Sequence, residues 1–339
     1  MVMTRTRTPT IVDIAVDAGV SKSAVSRALS GQGEVHPETR RKIVEAADRL
    51  GYVANAMARN LVSSRTKTLG VVLRDVRKPY YAFLQAAMQS QAEQRGYRIV
   101  ATTNSGHHEV EEALHEIKNL ISLQVDGVII APARLPTAKF KKFLDRVPIV
   151  VAGRQETTPG ISSVACDDSD GGRSLVRHLV GLGHHNIAVV LVSDQYSQRY
   201  HARGAAMIDE IRANGAEPIV VPADTDLTSA EVVSRQLRDL KATAIMCPTD
   251  PAAMDVLEVL RAEGPAALEK YSVTGYDGYG PLASPYLGLS TFRIPQEEVG
   301  RTAVDLLVDR LEGRSDHSRF VSLRGSVVPG RTARAITPN

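Results

Sequence analysis

The stretch TIVDIAVDAGVSKSAVSRAL, Thr10 to Leu29, decides the first part of the fold. Thr10 can cap a helix over Ile11–Asp17, in which Ile11, Ile14 and Ala15 fall at helical spacing. Ala18-Gly19-Val20 stops it, because Gly19 tolerates the left-handed conformation of a tight helix exit. Ser21 then caps a second helix, Lys22–Leu29, with Val25, Ala28 and Leu29 inward and Lys22, Ser23, Ser26 and Arg27 outward. Two short helices around a glycine turn form a helix-turn-helix. An outer face of short polar groups and a guanidinium suits the DNA major groove, where Arg bridges guanine O6 and N7. On spacing alone, an exposed amphipathic helix without a ligand is the competing reading. A third helix is predicted from Pro37 to about Leu50, covering the other two with Ile43, Ala46, Ala47 and Leu50.

Charge points the same way. Residues 1–68 hold eleven Lys/Arg against six Asp/Glu, and the other 271 hold thirty against thirty-two. A basic head on a slightly acidic body suits a polyanionic partner. A chain of 339 residues is long enough for two or three domains, and its 43% apolar and 23% charged composition is that of a globular protein. No apolar run nears the roughly 18 residues of a membrane span. Met1–Pro9 contains basic residues but no apolar core, so no secretory leader and a cytoplasmic location are expected. Cys166 and Cys247 are too few and too far apart for a disulfide framework or a metal site.

After Thr68 the pattern becomes that of parallel βαβ units. Strands are predicted at Leu69–Leu73, Tyr97–Thr102, Gly127–Ala131, Ile149–Ala152, Ile187–Val192, Pro218–Val221, Ala244–Cys247 and Ser272–Gly275, with amphipathic helical segments between them. Ligands of open parallel sheets bind beyond the carboxyl ends of strands. The residues there are Asp75, Tyr80 and Tyr81 after the first strand, Arg154 after the fourth, Asp250 after Ala244–Cys247 and Asp277 after Ser272–Gly275. Tyr80 and Tyr81 offer an aromatic face, although Tyr81 serves equally as a first-turn packing residue.

Thr10 to Leu29, continued by VHPETR at Val35–Arg40 and LGYVAN at Leu50–Asn55, resembles the headpiece signature of the lactose/galactose repressor (LacI/GalR) family. The resemblance implies that Lys22 and Ser23 select the operator, that Arg27 reads a base, and that Thr10, Ser21 and Ser26 cap helices or contact phosphate. It identifies Asn55 to Leu61 as a hinge helix, with Ala58 and Leu61 packing against a second protomer in the minor groove and Leu61 as a wedge. Wedges of this kind kink DNA. Seven residues are too few for a stable isolated helix in water, so this segment is expected to fold only on DNA. Two residues depart from the pattern: Ala54 stands for the usual Pro before the hinge Asn, and His36 for the usual Ser/Thr cap.

Beyond the headpiece the resemblance is looser. It implies a two-lobed α/β effector domain of the periplasmic sugar-binding-protein fold, with Asp277 at the family's ligand-binding Asp. Three crossings between lobes are expected near Ala165, Phe292 and Val321. The organisation is then a headpiece at 1–54, hinge and linker at 55–67, and an effector-binding and dimerisation domain at 68–339. Its N-lobe spans about 68–165 and 293–320, and its C-lobe about 166–292 and 321–339. Where relatives carry an Arg that grips the effector, this chain has His201, flanked by Arg199 and Arg203, so either His201 or a shifted Arg fills that role. No phosphate loop, nucleophile elbow or C-x-x-C is present, and no paired acid and base speaks for an enzyme. The expectation is a homodimeric repressor without cofactor or metal. It binds a pseudo-palindromic double-stranded DNA operator and answers to a small molecule, by resemblance a sugar or sugar derivative. Whether that molecule induces or corepresses is left open.

Overall fold

The computed structural model describes residues 9–30, 33–52, 65–103, 110–131, 135–237 and 239–336. Contacts divide the chain into two compact units, Met1–Thr66 and Lys67–Asn339.

In the first unit, helix α1 (Ile11–Ala18) begins with a reciprocal cap. The Asp13 amide donates to Thr10 Oγ1 at 3.4 Å, and the Thr10 amide to Asp13 Oδ2 at 2.7 Å. Gly19, at φ 66°, closes α1 as expected. Ser21 accepts from the Ala24 amide at 3.2 Å and so starts α2 (Lys22–Ser30). His36 makes no side-chain cap on α3 (Pro37–Arg49), which relies on Pro37 in its first turn. Ile14, Val25, Ile43 and Ala46 meet in a core closed to solvent. Arg40 ties α3 to the end of α2 by donating to the Ala28 carbonyl at 3.0 Å.

The second unit has two parallel sheets. The larger contains β1 (Thr68–Leu73), β2 (Arg98–Thr103), β3 (Gly127–Ala131), β4 (Ile149–Ala152), β5 (Ser162–Cys166) and β11 (Phe320–Leu323), in the order β11-β5-β4-β3-β1-β2. The smaller contains β6 (Ile187–Val192), β7 (Ile219–Ala223), β8 (Ala244–Met246) and β9 (Ser272–Thr274), in the order β7-β6-β8-β9. Strands β10 (Thr291–Arg293) and β12 (Ser326–Val328) run antiparallel as a two-stranded ribbon along the return paths between the lobes. The central strands are buried on both faces, which is why they read as unbroken apolar runs. Helices that cover the sheets include α4 (Pro79–Gln94), α5 (Val110–Ser122), α7 (Asp168–Gly181), α8 (Gln198–Ala213), α10 (Asp250–Glu263) and α12 (Gln296–Leu311), with the single turn α6 (Thr137–Phe140) and the shorter α9 (Ser229–Gln236) and α11 (Pro265–Lys270) between them.

Strands β5, β10, β11 and β12 fall outside the predicted runs, and the third crossing is shifted. Strand β5 is absent from the predicted runs because its buried Ser162 and Ser163 mask it. The third crossing falls after Leu323, since Val321 pairs with Val164 and Leu323 with Cys166 in the larger sheet.

The entry to this unit is held firmly. Lys67 has a left-handed backbone (φ 50°). Its amide donates to Asp126 Oδ2 at 2.9 Å, and its ammonium reaches Glu312 at 3.2 Å while lying 4.2 Å from the Tyr97 ring centre.

Candidate functional site

On the first unit, Ser21, Lys22, Ser23, Ser26 and Arg27 all lie on the exposed face of α2, as the spacing requires, while Val25 and Ala28 face the core. The Ser21 and Ser23 hydroxyls are 3.0 Å apart, so Ser21 caps the helix and orients its neighbour. The Thr10 hydroxyl is occupied, donating to Asp13 at 2.7 Å. Asn55, Ala58 and Leu61, the hinge candidates, lie outside the described residues.

On the second unit, the carboxyl ends of both sheets face a cavity of about 590 Å³. Tyr80, Tyr81, Arg154, Asp250 and Asp277 all line it, brought together from both lobes. Tyr80 and Tyr81, in the first turn of α4, meet edge to face with centroids 5.0 Å apart. Burial pushes the Tyr80 hydroxyl up to about 12, so it remains a donor at any ordinary pH.

Asp277 is a strongly perturbed acid. Burial raises its carboxyl to about 7, with Asp250 adding to the rise and Arg203 opposing it. Its backbone is left-handed (φ 126°), an unfavourable state for a residue with a Cβ. Two hydrogen bonds hold it there: its amide donates to the Phe292 carbonyl at 3.0 Å, and the Ile294 amide donates to its own carbonyl at 3.1 Å. Asp250 supports this loop from beneath. One of its oxygens accepts from the Thr291 hydroxyl at 2.5 Å and the other from the Gly278 amide at 2.8 Å. Asp250 therefore lines the cavity but uses both oxygens to position its neighbour.

Arg154 is similarly engaged, with Glu156 at 2.8 Å and the Leu135 carbonyl at 2.8 Å. Two of the predicted residues lie elsewhere. Asp75 is absent from the lining because Arg77 holds its carboxylate, through the backbone amide at 3.0 Å and Nε at 2.9 Å. His201 is absent because its Nδ1 lies 2.9 Å from the Val192 carbonyl. Two residues along a helix turn a side chain about 200° away, so His201 points opposite to Arg199.

Arg199 enters the cavity in its place. It pairs with Asp168 and stacks 4.7 Å from the centre of the Tyr80 ring. Arg203, one turn on, donates to the other oxygen of Asp168 at 2.7 Å. Burial alone would raise the Asp168 carboxyl, but Arg199 and Arg203 overcome it and hold the group below its usual range.

Asp168 and Asp226, both in the lining, were not singled out from sequence. Asp168 follows β5, which was not read as a strand. Asp226 follows β7, at the post-strand position where a ligand-facing residue is expected. Lys78 meets Asp226 across the cavity, with Nζ 3.0 Å from Oδ2.

What the cavity offers is binding. Lys78, Arg77, Arg154 and Arg199 each have a carboxylate partner, and Tyr80, Tyr81, Tyr200 and Tyr279 supply aromatic wall. Asp277 stands among them as a carboxyl ready to accept from hydroxyl donors.

Comparison with known proteins agrees. Residues 10–55 match the family of bacterial regulatory proteins, lacI family, and residues 176–333 match the periplasmic binding protein-like domain. The HTH-type transcriptional regulator AscG of Escherichia coli is 30% identical over 319 residues, covering 90% of this chain and 92% of that protein. Catabolite control protein A of Priestia megaterium is 29% identical over 320 residues, covering 93% and 96%. Among solved structures, the lac repressor dimer bound to operator and the anti-inducer ONPF superposes with a TM-score of 0.84 at 26% identity, covering 97% of this chain and 100% of that one. The transcriptional regulator CelR–cellobiose complex gives 0.66 at 27% identity, covering 96% and 99%. The chain belongs to the LacI family and is a ligand-responsive transcriptional repressor, with a helix-turn-helix unit for DNA and a periplasmic-binding-protein-like unit for an effector.

Proposed function

We propose that this repressor acts in the cytoplasm as a homodimer on a pseudo-palindromic operator, and that its effector is a sugar or sugar derivative bound between the lobes. The observation that carries the ligand reading is Asp277, an acceptor held in a strained backbone in the lining of a tyrosine-walled cavity. A carboxylate bonds adjacent hydroxyls well, and aromatic rings cover the apolar face of a sugar. The structural relative complexed with cellobiose supports this class. In this reading Asp277, Arg199, Tyr80 and Tyr81 touch the effector, Asp250 positions Asp277, and Arg154 shapes the wall. The larger sheet with α12 forms the N-lobe, and the smaller sheet the C-lobe.

On DNA, Lys22 and Ser23 select the operator, Arg27 reads a base, and Thr10, Ser21 and Ser26 set the helices against phosphate. Asn55, Ala58 and Leu61 fold as the hinge when two copies meet in the minor groove. Effector binding favours one lobe arrangement and thereby changes operator affinity. The site has the character of a binding cavity rather than a catalytic one.

A thermal-shift screen of neutral sugars, polyols and phosphosugars tests the ligand. A compound at a hundred times its dissociation constant adds about 2.7 kcal/mol of stability. A screen in which no sugar raises the melting temperature, while another class does, would overturn the assignment. A gel shift against palindromes upstream of the gene tests the operator reading, and failure to bind any of them at low salt would sink it.

A further inference from the structure

We propose that Lys78 and Asp226 form a latch across the mouth of the cavity that holds the two lobes closed. The proposal rests on the reading of that cavity as the effector site. Lys78 follows β1 in the larger sheet and precedes α4, whereas Asp226 follows β7 in the smaller sheet. They are 148 residues apart in sequence, yet Nζ and Oδ2 are 3.0 Å apart. Both line the cavity, so their bond spans the space an effector must enter.

The surroundings make this pair more than a surface contact. The Lys78 side chain is 26% exposed and that of Asp226 only 6%. An exposed pair contributes little, but a carboxylate removed from water depends on its partner. The second oxygen of Asp226, Oδ1, is buried with no hydrogen-bond partner. Closure therefore strips water from the carboxylate and returns one cation, the Lys78 ammonium from the opposite lobe, beside the Tyr196 hydroxyl of its own lobe. Without Lys78 the buried carboxylate would keep the Tyr196 hydroxyl but no cation, and parting the lobes is the route by which its charge regains water.

Other contacts run the same way across the cleft without replacing this one. Arg199 of α8 lies over the ring of Tyr80 in α4, and Arg74, after β1, lies 5.3 Å from the ring centre of Tyr196, after β6. The stacking of Arg199 on Tyr80 tolerates sliding and Arg74 meets a neutral hydroxyl on Tyr196, whereas Lys78–Asp226 joins two opposite charges at a fixed length and is broken by a small separation. Such a latch sets the balance between open and closed lobes before any ligand arrives. An effector large enough to part Lys78 from Asp226 opens the cleft, and one that fits beneath them leaves it shut.

The test reads lobe separation in the full chain without any ligand. Donor and acceptor dyes go on cysteines introduced at exposed Glu111 in α5 and Glu263 in α10, because Cys166 and Cys247 are buried and burial raises both thiols. Energy transfer should fall in Lys78→Met and fall equally in Asp226→Asn, and the double variant should lose no more than either alone. Lys78→Arg should keep the parent value. Parent-like transfer in Lys78→Met or Asp226→Asn overturns the latch, as do additive losses in the double variant or a loss shared by Lys78→Arg. Failure here leaves the sugar screen untouched, and failure of that screen leaves the transfer values untouched.

Discussion

The guanidinium carbon of Arg203 lies 3.3 Å from the centre of the Tyr276 ring, and its Nη2 donates to Asp168 at 2.7 Å. Arg203 is 1% exposed, so a cation is stacked on a ring and paired with an acid in a space closed to water. At its back, α7 can approach only because residue 171 is glycine: a Cβ there would stand 2.1 Å from the Tyr276 hydroxyl.

Replacing Arg203 by Met should therefore destabilise the second unit. Leaving a buried charge wholly uncompensated costs about 3–5 kcal/mol, and since Arg199 still pairs with Asp168 the loss should fall below that figure. The measure is the chemical denaturation midpoint. A variant as stable as the parent would show that Asp168 is satisfied by Arg199 alone.

Asp277 gives the protein a pH signature. Its folded-state carboxyl titrates at about 7, above the ordinary value of 3.8. The folded state therefore binds the proton more tightly than the unfolded state. Its contribution to stability is complete below about pH 4 and is lost as pH rises to about 7. Asp168, held low by its arginines, has the opposite sign and contributes above its ordinary value. The comparison of parent with Asp277→Asn isolates the former. The variant should gain stability relative to the parent between pH 5 and pH 8 (about the window set by the raised carboxyl), and it should lose effector affinity. An unchanged difference between those pH values would refute the buried titration.

Arg199 and His201 should separate cleanly. Arg199→Ala removes the guanidinium from the cavity and should weaken effector binding by about tenfold or more, in line with a charge-assisted hydrogen bond of about 1.5–3 kcal/mol. His201→Ala loses only a bond to the Val192 carbonyl and should leave affinity within about twofold. Titration calorimetry with a hit from the sugar screen decides between them, and the reverse order would return the gripping role to His201.

On the first unit, Arg27→Ala should cost about 1–3 kcal/mol of operator affinity while changing non-specific binding much less. Exchanging Lys22 and Ser23 should redirect operator preference. Binding-site selection from a randomised palindrome reads both, and an unchanged preferred sequence would remove these residues from base recognition.

The headpiece was legible almost to the residue, because capping, glycine exit and apolar spacing are all local signals that agree. Eight strands of the second unit were legible from apolar runs. Ser162–Cys166 was not, since burial of two serines is a tertiary fact without a local sign. That miss hid Asp168, which a complete list of post-strand residues would have exposed. His201 stood at the family's position, but helical phase depends on where α8 begins, and Ser197 sets that start by accepting from the Tyr200 amide. Asp75 failed for a different reason: Arg77, two residues on, captures it locally.

The return of β11 to the larger sheet has a consequence for synthesis. Its strand order places Phe320–Leu323 beside β5, more than 150 residues upstream, so the larger sheet cannot be completed until nearly all of the second unit has left the ribosome. The helix-turn-helix unit, by contrast, is finished within its first 66 residues and is built from local contacts that form fast. During translation a DNA reader thus exists before its sensor does. A chain cut short anywhere between them would carry the reader without the part that answers to the effector.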